Sequence, residues 1–185
     1  MCGECLRSPP PFDAAFAPFE YAHPFDLLLT RLKFGRSLAA GRVLTELWIG
    51  EICNALENGY ISALPEAMLP VPLHIERLRE RGYNQALELA RPLAAAFGLD
   101  LATDLLRRER ATSAQTDLDA ATRRRSLRGA FAIAPSATRK VPQHVALIDD
   151  VMTTGATLRE CARVLKRAGV GRVDVWAIAR APRMR

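Results

Sequence analysis

Two neighbouring carboxylates, Asp149 and Asp150, stand directly after four apolar residues, Val145-Ala146-Leu147-Ile148, and ahead of Val151-Met152-Thr153-Thr154-Gly155-Ala156-Thr157. Acids closing a short apolar run can accept hydrogen bonds from vicinal hydroxyls and assist a magnesium ion. The hydroxyl-rich turn behind them suits a phosphate. At the opening of a helix, Thr153, Thr154, Gly155 and Thr157 can turn backbone N–H groups and hydroxyls inward, and Gly155 lets the backbone come close. Together the parts describe a seat for a ribose 5-phosphate, with the hydroxyls on the acids and the phosphate on the loop. The plainer alternative is that the threonines only cap a helix and the acids are a solvated strand end.

The stretch resembles the phosphoribosyl pyrophosphate motif of type I phosphoribosyltransferases, in which four apolar residues, two acids and an apolar step precede Thr-Thr-Gly-x-Thr. That resemblance implies that Asp149, Asp150, Thr153, Thr154, Gly155, Ala156 and Thr157 hold phosphoribosyl pyrophosphate with magnesium.

Positioning such a site takes a strand, a loop and a helix. Val145–Ile148 is long enough only for a buried strand, and Leu158–Ala168 has helical spacing with Gly169 as its stop. Upstream, Met68–Pro72 reads as the first core strand, ended by Pro72. Leu73–Gln85 then carries Arg77, Arg79 and Arg81, interleaved with Glu76 and Glu80, before Asn84 opens a helix closed by Gly98. Pairing of Glu76 with Arg79, or of Glu80 with Arg77, is one reading of that stretch. Contact with a ligand is the other. Pro92 predicts a kink or break in the helix. Leu99–Ala102, Phe131–Ala134 and Val173–Ala179 are further strands. Strands alternating with helices predict a mostly parallel sheet covered on both faces, whose ligands gather at the carboxyl ends of the strands.

The N-terminal part is different in kind. Ser8–Pro18 is Pro-rich and reads as a linker rather than an element. Leu27–Phe34 is a short amphipathic helix closed by Gly35, its Lys33 reading most simply as a solvated C-terminal lysine. Ser37–Leu56 is a longer helix with Val43, Leu44, Leu47, Trp48, Ile52 and Leu56 on one face and Asn58-Gly59 as its stop.

The chain has 185 residues, 49% hydrophobic and 25% charged, which is ordinary for a globular protein with one main core. No apolar run approaches the roughly 20 residues of a membrane span, and the start lacks a secretory signal layout. The expected address is the cytoplasm. Cys2-Gly3-Glu4-Cys5 offers two thiolates to one metal, half of what a structural zinc requires. Cys53 and Cys161 read as small core residues.

The net charge of +6 is unevenly spread. Between Arg107 and Arg128 there are seven arginines, at 107, 108, 110, 123, 124, 125 and 128, against Glu109, Asp117 and Asp119. Such a segment is a solubilising helix face, a pyrophosphate clamp or a footing for nucleic acid.

The combination of Leu69-Pro70-Val71-Pro72-Leu73-His74, Arg77 to Gln85, Arg110 to Thr116, Arg123 to Phe131 and the acid-threonine motif resembles the ComF family of competence-associated proteins. The likeness extends to the opening Cys-Gly-x-Cys and to Leu32-Lys33-Phe34. Ser126 stands where that family usually has Asn, and Tyr83 where Phe is common. The resemblance implies an α/β fold of the type I phosphoribosyltransferase kind, a mostly parallel sheet flanked by helices. Residues 1–18 would be a zinc-ribbon remnant and linker, 19–65 a helical hood, and 66–185 the phosphoribosyltransferase-like core. Family members typically begin with a four-cysteine zinc ribbon, of which Cys2 and Cys5 match the second pair.

The loop after Val71, with Pro72, would lie where relatives grip pyrophosphate. Arg77, Arg79, Arg81, Arg110 and Arg128 are the candidates to neutralise that group, and Asp149, Asp150, Arg79 and Arg81 to act in catalysis. The expected role is phosphoribosyl transfer tied to natural competence and DNA uptake. The rival expectation is a non-catalytic adaptor for single-stranded DNA and competence proteins such as a helicase. Against it, only 6% of residues are aromatic and none lies within Arg107–Arg128 to stack bases.

Overall fold

A computed structural model describes residues 7–35, 37–110, 126–135 and 141–182. In chain order its elements are β1 (Ala14–Phe16), β2 (Phe19–Glu20), α1 (Phe25–Lys33), α2 (Leu38–Glu57), β3 (Ala67–Pro70), α3 (Ile75–Arg81), α4 (Gln85–Phe97), β4 (Asp100–Leu101), β5 (Leu106–Arg108), β6 (Phe131–Ile133), β7 (His144–Met152), α5 (Ala156–Arg167) and β8 (Arg172–Arg180). Cys2, Cys5 and residues 111–125, with Arg123, Arg124 and Arg125 among them, lie outside the described residues.

The main sheet is parallel throughout, with β7 and β3 at its centre, β4 beyond β3, and β8 on the other side of β7. The outer edge of β8 is covered by β1 and then β2, both parallel to it. Helices lie on both faces, so the architecture is α/β with a mostly parallel sheet, as the alternating pattern predicts.

Period-two alternation divides the core. Leu69, Val71, Leu147, Val173 and Val175 turn to the face that carries α5 and the β5–β6 pair. Met68, Ile148, Trp176 and Ile178 turn to the face covered by α1, α2 and α4. Leu44, Trp48, Ile52, Leu89 and Leu93 are fully buried there. Each such side chain contributes about 1.5–3 kcal/mol of apolar burial. The helix ends follow from the sequence. Ser37 caps α2, accepting from the N–H of Ala40 at 3.3 Å, and Asn84 caps α4, accepting from that of Ala86 at 3.0 Å. Gly98 closes α4 in the left-handed region at φ 63°.

Several expectations are corrected. The Pro-rich stretch is not only a linker, because Ala14–Phe16 pairs with Asp174–Trp176. On α2, Val43 and Leu47 are exposed, and the buried stripe runs through Ala40, Leu44, Trp48, Ile52 and Ala55. Cys161 is buried, but Cys53 faces solvent. Phe131–Ile133 does not join the main sheet. It pairs antiparallel with Leu106–Arg108 as a separate two-stranded sheet packed on α5. Helix α4 continues through Pro92 without a break. Glu88, whose carbonyl loses its helical donor there, lines with Pro92 an open groove that water can enter. Among the described residues, no helix is long and apolar enough to cross a membrane.

Candidate functional site

Strand β7 does not stop at Ile148 but carries both acids and runs on to Met152, with Asp149 opposite Ala177 and Met152 opposite Arg180 of β8. The pleat starts the two side chains toward opposite faces, but their carboxyl groups still meet, because Asp150 acts on Asp149 through a side-chain hydrogen bond as well as through its charge. Asp149 follows Leu147 toward the α5 face, and Asp150 follows Ile148 toward the helical layer of α1. Each oxygen Oδ1 accepts from the next backbone N–H, that of Asp150 at 2.9 Å for Asp149 and that of Val151 at 2.7 Å for Asp150.

Immediately after β7 the chain turns through Thr153 and Thr154, both exposed, to Gly155 at φ 70°, the cap position of α5. A Cβ on Gly155 would lie 3.0 Å from Met152 Cε, a contact the flexible methionine can relieve, so it is the backbone angle that calls for glycine. No side chain caps this helix through Gly155, although the N–H of Ala156 reaches Thr154 Oγ1 at a long 3.4 Å. The N–H groups of Thr157 and Leu158 make no hydrogen bond to any described residue. Asp149, Val151 and residues 152–158 line a small hollow open to solvent. One acid, the hydroxyls and the unused donors of the first helical turn therefore face one space.

Electrostatics at the acid pair are strongly perturbed. The Asp149 carboxyl is pushed up to about 7, first by burial and then by the neighbouring charge of Asp150. The N–H of Asp150 and the ammonium of Lys33 pull the other way. Lys33 Nζ lies 2.8 Å from Asp150 Oδ2, with both side chains largely enclosed. From the sequence alone this lysine reads as solvated. Its partner comes from a distant strand, and only tertiary packing brings the two together.

The loop after β3 starts beside the acids, since the N–H of Val71 donates to the Ile148 carbonyl at 2.9 Å. The Val71 carbonyl in turn accepts from Asn84 Nδ2 at 3.0 Å, which fixes the loop between β3 and α4. Residues 75–81 of that loop form α3, which the alternating arginines and glutamates did not disclose. It is capped by His74 Nδ1, which accepts from the N–H of Glu76 at 3.4 Å, and ends at Gly82 at φ 83°. None of its residues is buried.

The arginines divide into separate groups. Arg77 pairs with Glu80 at 3.2 Å, Arg81 lies over the ring of Phe34 at 5.4 Å, and Arg79 is exposed. Arg110 donates to the Arg128 carbonyl, joining the two ends of the segment outside the described residues. Arg108, which the sequence alone does not single out, is an arginine on which the charge of Asp149 acts. Burial pulls its guanidinium below the ordinary value, Cys161 and Asp149 oppose that, and Arg77 adds to it. Its guanidinium also sits 5.4 Å above the ring of Phe131. The alternation Leu106-Arg107-Arg108 in a short strand was the available signal. Among the described residues there is no cluster of three or more His, Cys, Asp or Glu able to hold a metal.

No family model matches the chain. Curated relatives do. It is 36% identical over 180 residues to Competence protein F of Haemophilus influenzae, covering 97% of this chain and 78% of that protein. It is 34% identical over 182 residues to DNA utilization protein YhgH of Escherichia coli strain K12, covering 97% and 77%. Competence protein ComFC of Streptococcus pneumoniae is 34% identical over 165 residues, 89% of this chain and 67% of the relative. Similarity of that extent, running through the acid pair and the threonine loop, places the chain in the ComF family.

Proposed function

We propose that the protein binds phosphoribosyl pyrophosphate at the end of β7 and transfers its phosphoribosyl group, in the service of the competence and DNA utilization named for its relatives. The observation that carries this is the shared hollow, where Asp149 faces the uncapped first turn of α5 across the Thr153–Thr157 loop. The N–H groups of Thr157 and Leu158, with the hydroxyls of Thr153, Thr154 and Thr157, hold the 5-phosphate. The helix dipole favours its charge. Asp149 and Asp150 take the ribose hydroxyls. In this reading the fold is of the type I phosphoribosyltransferase kind, and the helices of residues 19–65 roof the site.

In the transfer, the bond from ribose C1 to the pyrophosphate oxygen breaks, its electron pair leaves with pyrophosphate, and a nucleophile adds at C1. The chain's contribution is positioning and charge. Arg77, Arg79 and Arg81 border the loop after Val71 and Pro72, and Arg108 approaches Asp149 from β5. These cations neutralise the departing group. When bound, magnesium supplies further neutralisation of the pyrophosphate oxygens, with the acid pair as its protein-side partner.

Calorimetry with phosphoribosyl pyrophosphate and magnesium tests the reading. Saturable binding is expected for the wild-type chain and none for Asp149→Ala with Asp150→Ala. Equal affinity in the two proteins overturns it.

A second reading has its own observation. Phe34 is 71% exposed beneath Arg81, beside an α3 that carries arginines and the exposed Ile75 and Leu78. An aromatic face among arginines is what a single-stranded DNA contact uses. Oligonucleotide anisotropy across a salt series, with Phe34→Ala, decides whether this surface takes DNA.

A further inference from the structure

Asp150 already has a cation. The Lys33 ammonium, held at the last residue of α1, lies 2.8 Å from Asp150 Oδ2, with 21% of the lysine and 12% of the aspartate side chain exposed. Asp150 also accepts from the N–H of Val151, so its oxygens both have donors in the ligand-free chain. A hard divalent cation takes six or more oxygens, and among the described residues no third carboxylate, histidine or cysteine joins Asp149 and Asp150. Such a cation arriving alone would find two protein acids, one of them occupied, and a fixed positive charge beside it.

We infer that Lys33 is a positioning residue, a tethered counter-ion that holds Asp150 in the ligand-free chain and keeps a lone divalent cation off the acid pair. This rests on the acid pair being the ligand site proposed above. The lysine reserves Asp150 for a ligand able to displace it, while Asp149 stays turned to the hollow.

The test uses manganese alone as the probe, followed by electron paramagnetic resonance on the full chain, in wild type, Lys33→Gln, Lys33→Met and Lys33→Arg. Lys33→Met keeps the aliphatic stem and serves if Lys33→Gln unfolds. Removing the positive charge is expected to tighten manganese binding by about tenfold or more. Lys33→Arg is expected to remain weak, and adding Asp150→Asn to a neutral variant to abolish the gain. Unchanged affinity in the neutral variants, or a gain that survives Asp150→Asn, overturns the inference. Binding of phosphoribosyl pyrophosphate is read separately by calorimetry. Its absence with the manganese gain intact removes the proposed function and leaves the counter-ion, whereas ligand binding without that gain removes the counter-ion alone.

Discussion

The Tyr83 hydroxyl donates to the carbonyl of Leu32, the residue directly before the lysine that pairs with Asp150. With Arg81 lying over Phe34, the three consecutive residues Leu32, Lys33 and Phe34 touch the segment after β3 and the end of β7. The C-terminus of α1 thus joins the arginine-bearing α3 to the acid pair, although its sequence shows only a short amphipathic helix. Tyr83→Phe keeps the ring and removes this one bond. It is expected to lower unfolding free energy by about 1 kcal/mol in urea titration, since a net hydrogen bond is worth that much. A loss several times larger would mean that α1 and α3 separate.

The Asp149 carboxyl, raised to about 7 from an ordinary 3.8, makes stability depend on pH. Between those values the native chain holds a proton that the unfolded chain has released. The contribution is therefore fully present below about pH 4 and is lost as pH rises through 7. Asp149→Asn removes the titration and is expected to flatten this part of the profile. Relative to wild type it should gain on the order of 2 kcal/mol between pH 4 and pH 8, allowing for partial solvent contact. Urea midpoints at matched pH values measure it, and parallel profiles for the two proteins would contradict it.

What the sequence discloses about this site is what is local. The apolar run, the acids and the Thr-Thr-Gly turn are contiguous, so strand, loop and helix can be read in one pass, and the capping residues Ser37 and Asn84 mark their helices for the same reason. Lys33 and Arg108 escaped because each reaches the acids from another element, and only packing decides whether a lysine at a helix end is solvated or paired. Helix α3 escaped because it buries nothing and so has no apolar stripe to detect. Strand β1 escaped because edge pairing with β8 overrides the proline-rich composition around it. Val43 and Leu47 were misassigned because α2 carries apolar residues around more of its circumference than it buries.

At the amino end of the same strands, Asp174 is 1% exposed and accepts from Arg172 Nε at 3.0 Å, with His144 Nε2 3.0 Å from its other oxygen. Arg172 also reaches Ser62 at 3.0 Å, so the cluster ties β7 and β8 to the chain before β3. Asp174→Ala strips both partners of their acceptor and is expected to cost about 3 kcal/mol. Because this cluster lies at the opposite ends of the strands from Asp149, ligand affinity measured well below the melting temperature should not change. Loss of ligand binding in a folded Asp174→Ala protein would show that the two ends of the sheet are coupled.

Gly155 is where stability and the site meet. Its φ of 70° lies in the left-handed region, and a Cβ there meets only the mobile tip of Met152 at 3.0 Å. Space can therefore be made by moving one methionine, whereas the backbone angle cannot be relieved without reshaping the turn. Gly155→Ala is expected to cost about 1–2 kcal/mol from that angle alone. If the turn relaxes to escape it, the N–H groups of Thr157 and Leu158 no longer face the hollow, and phosphate affinity should fall about tenfold or more. Met152→Ala in the same background separates the two causes, because it removes the contact and leaves the angle. Continued loss of affinity in the double variant assigns the effect to the backbone, and recovery assigns it to Met152.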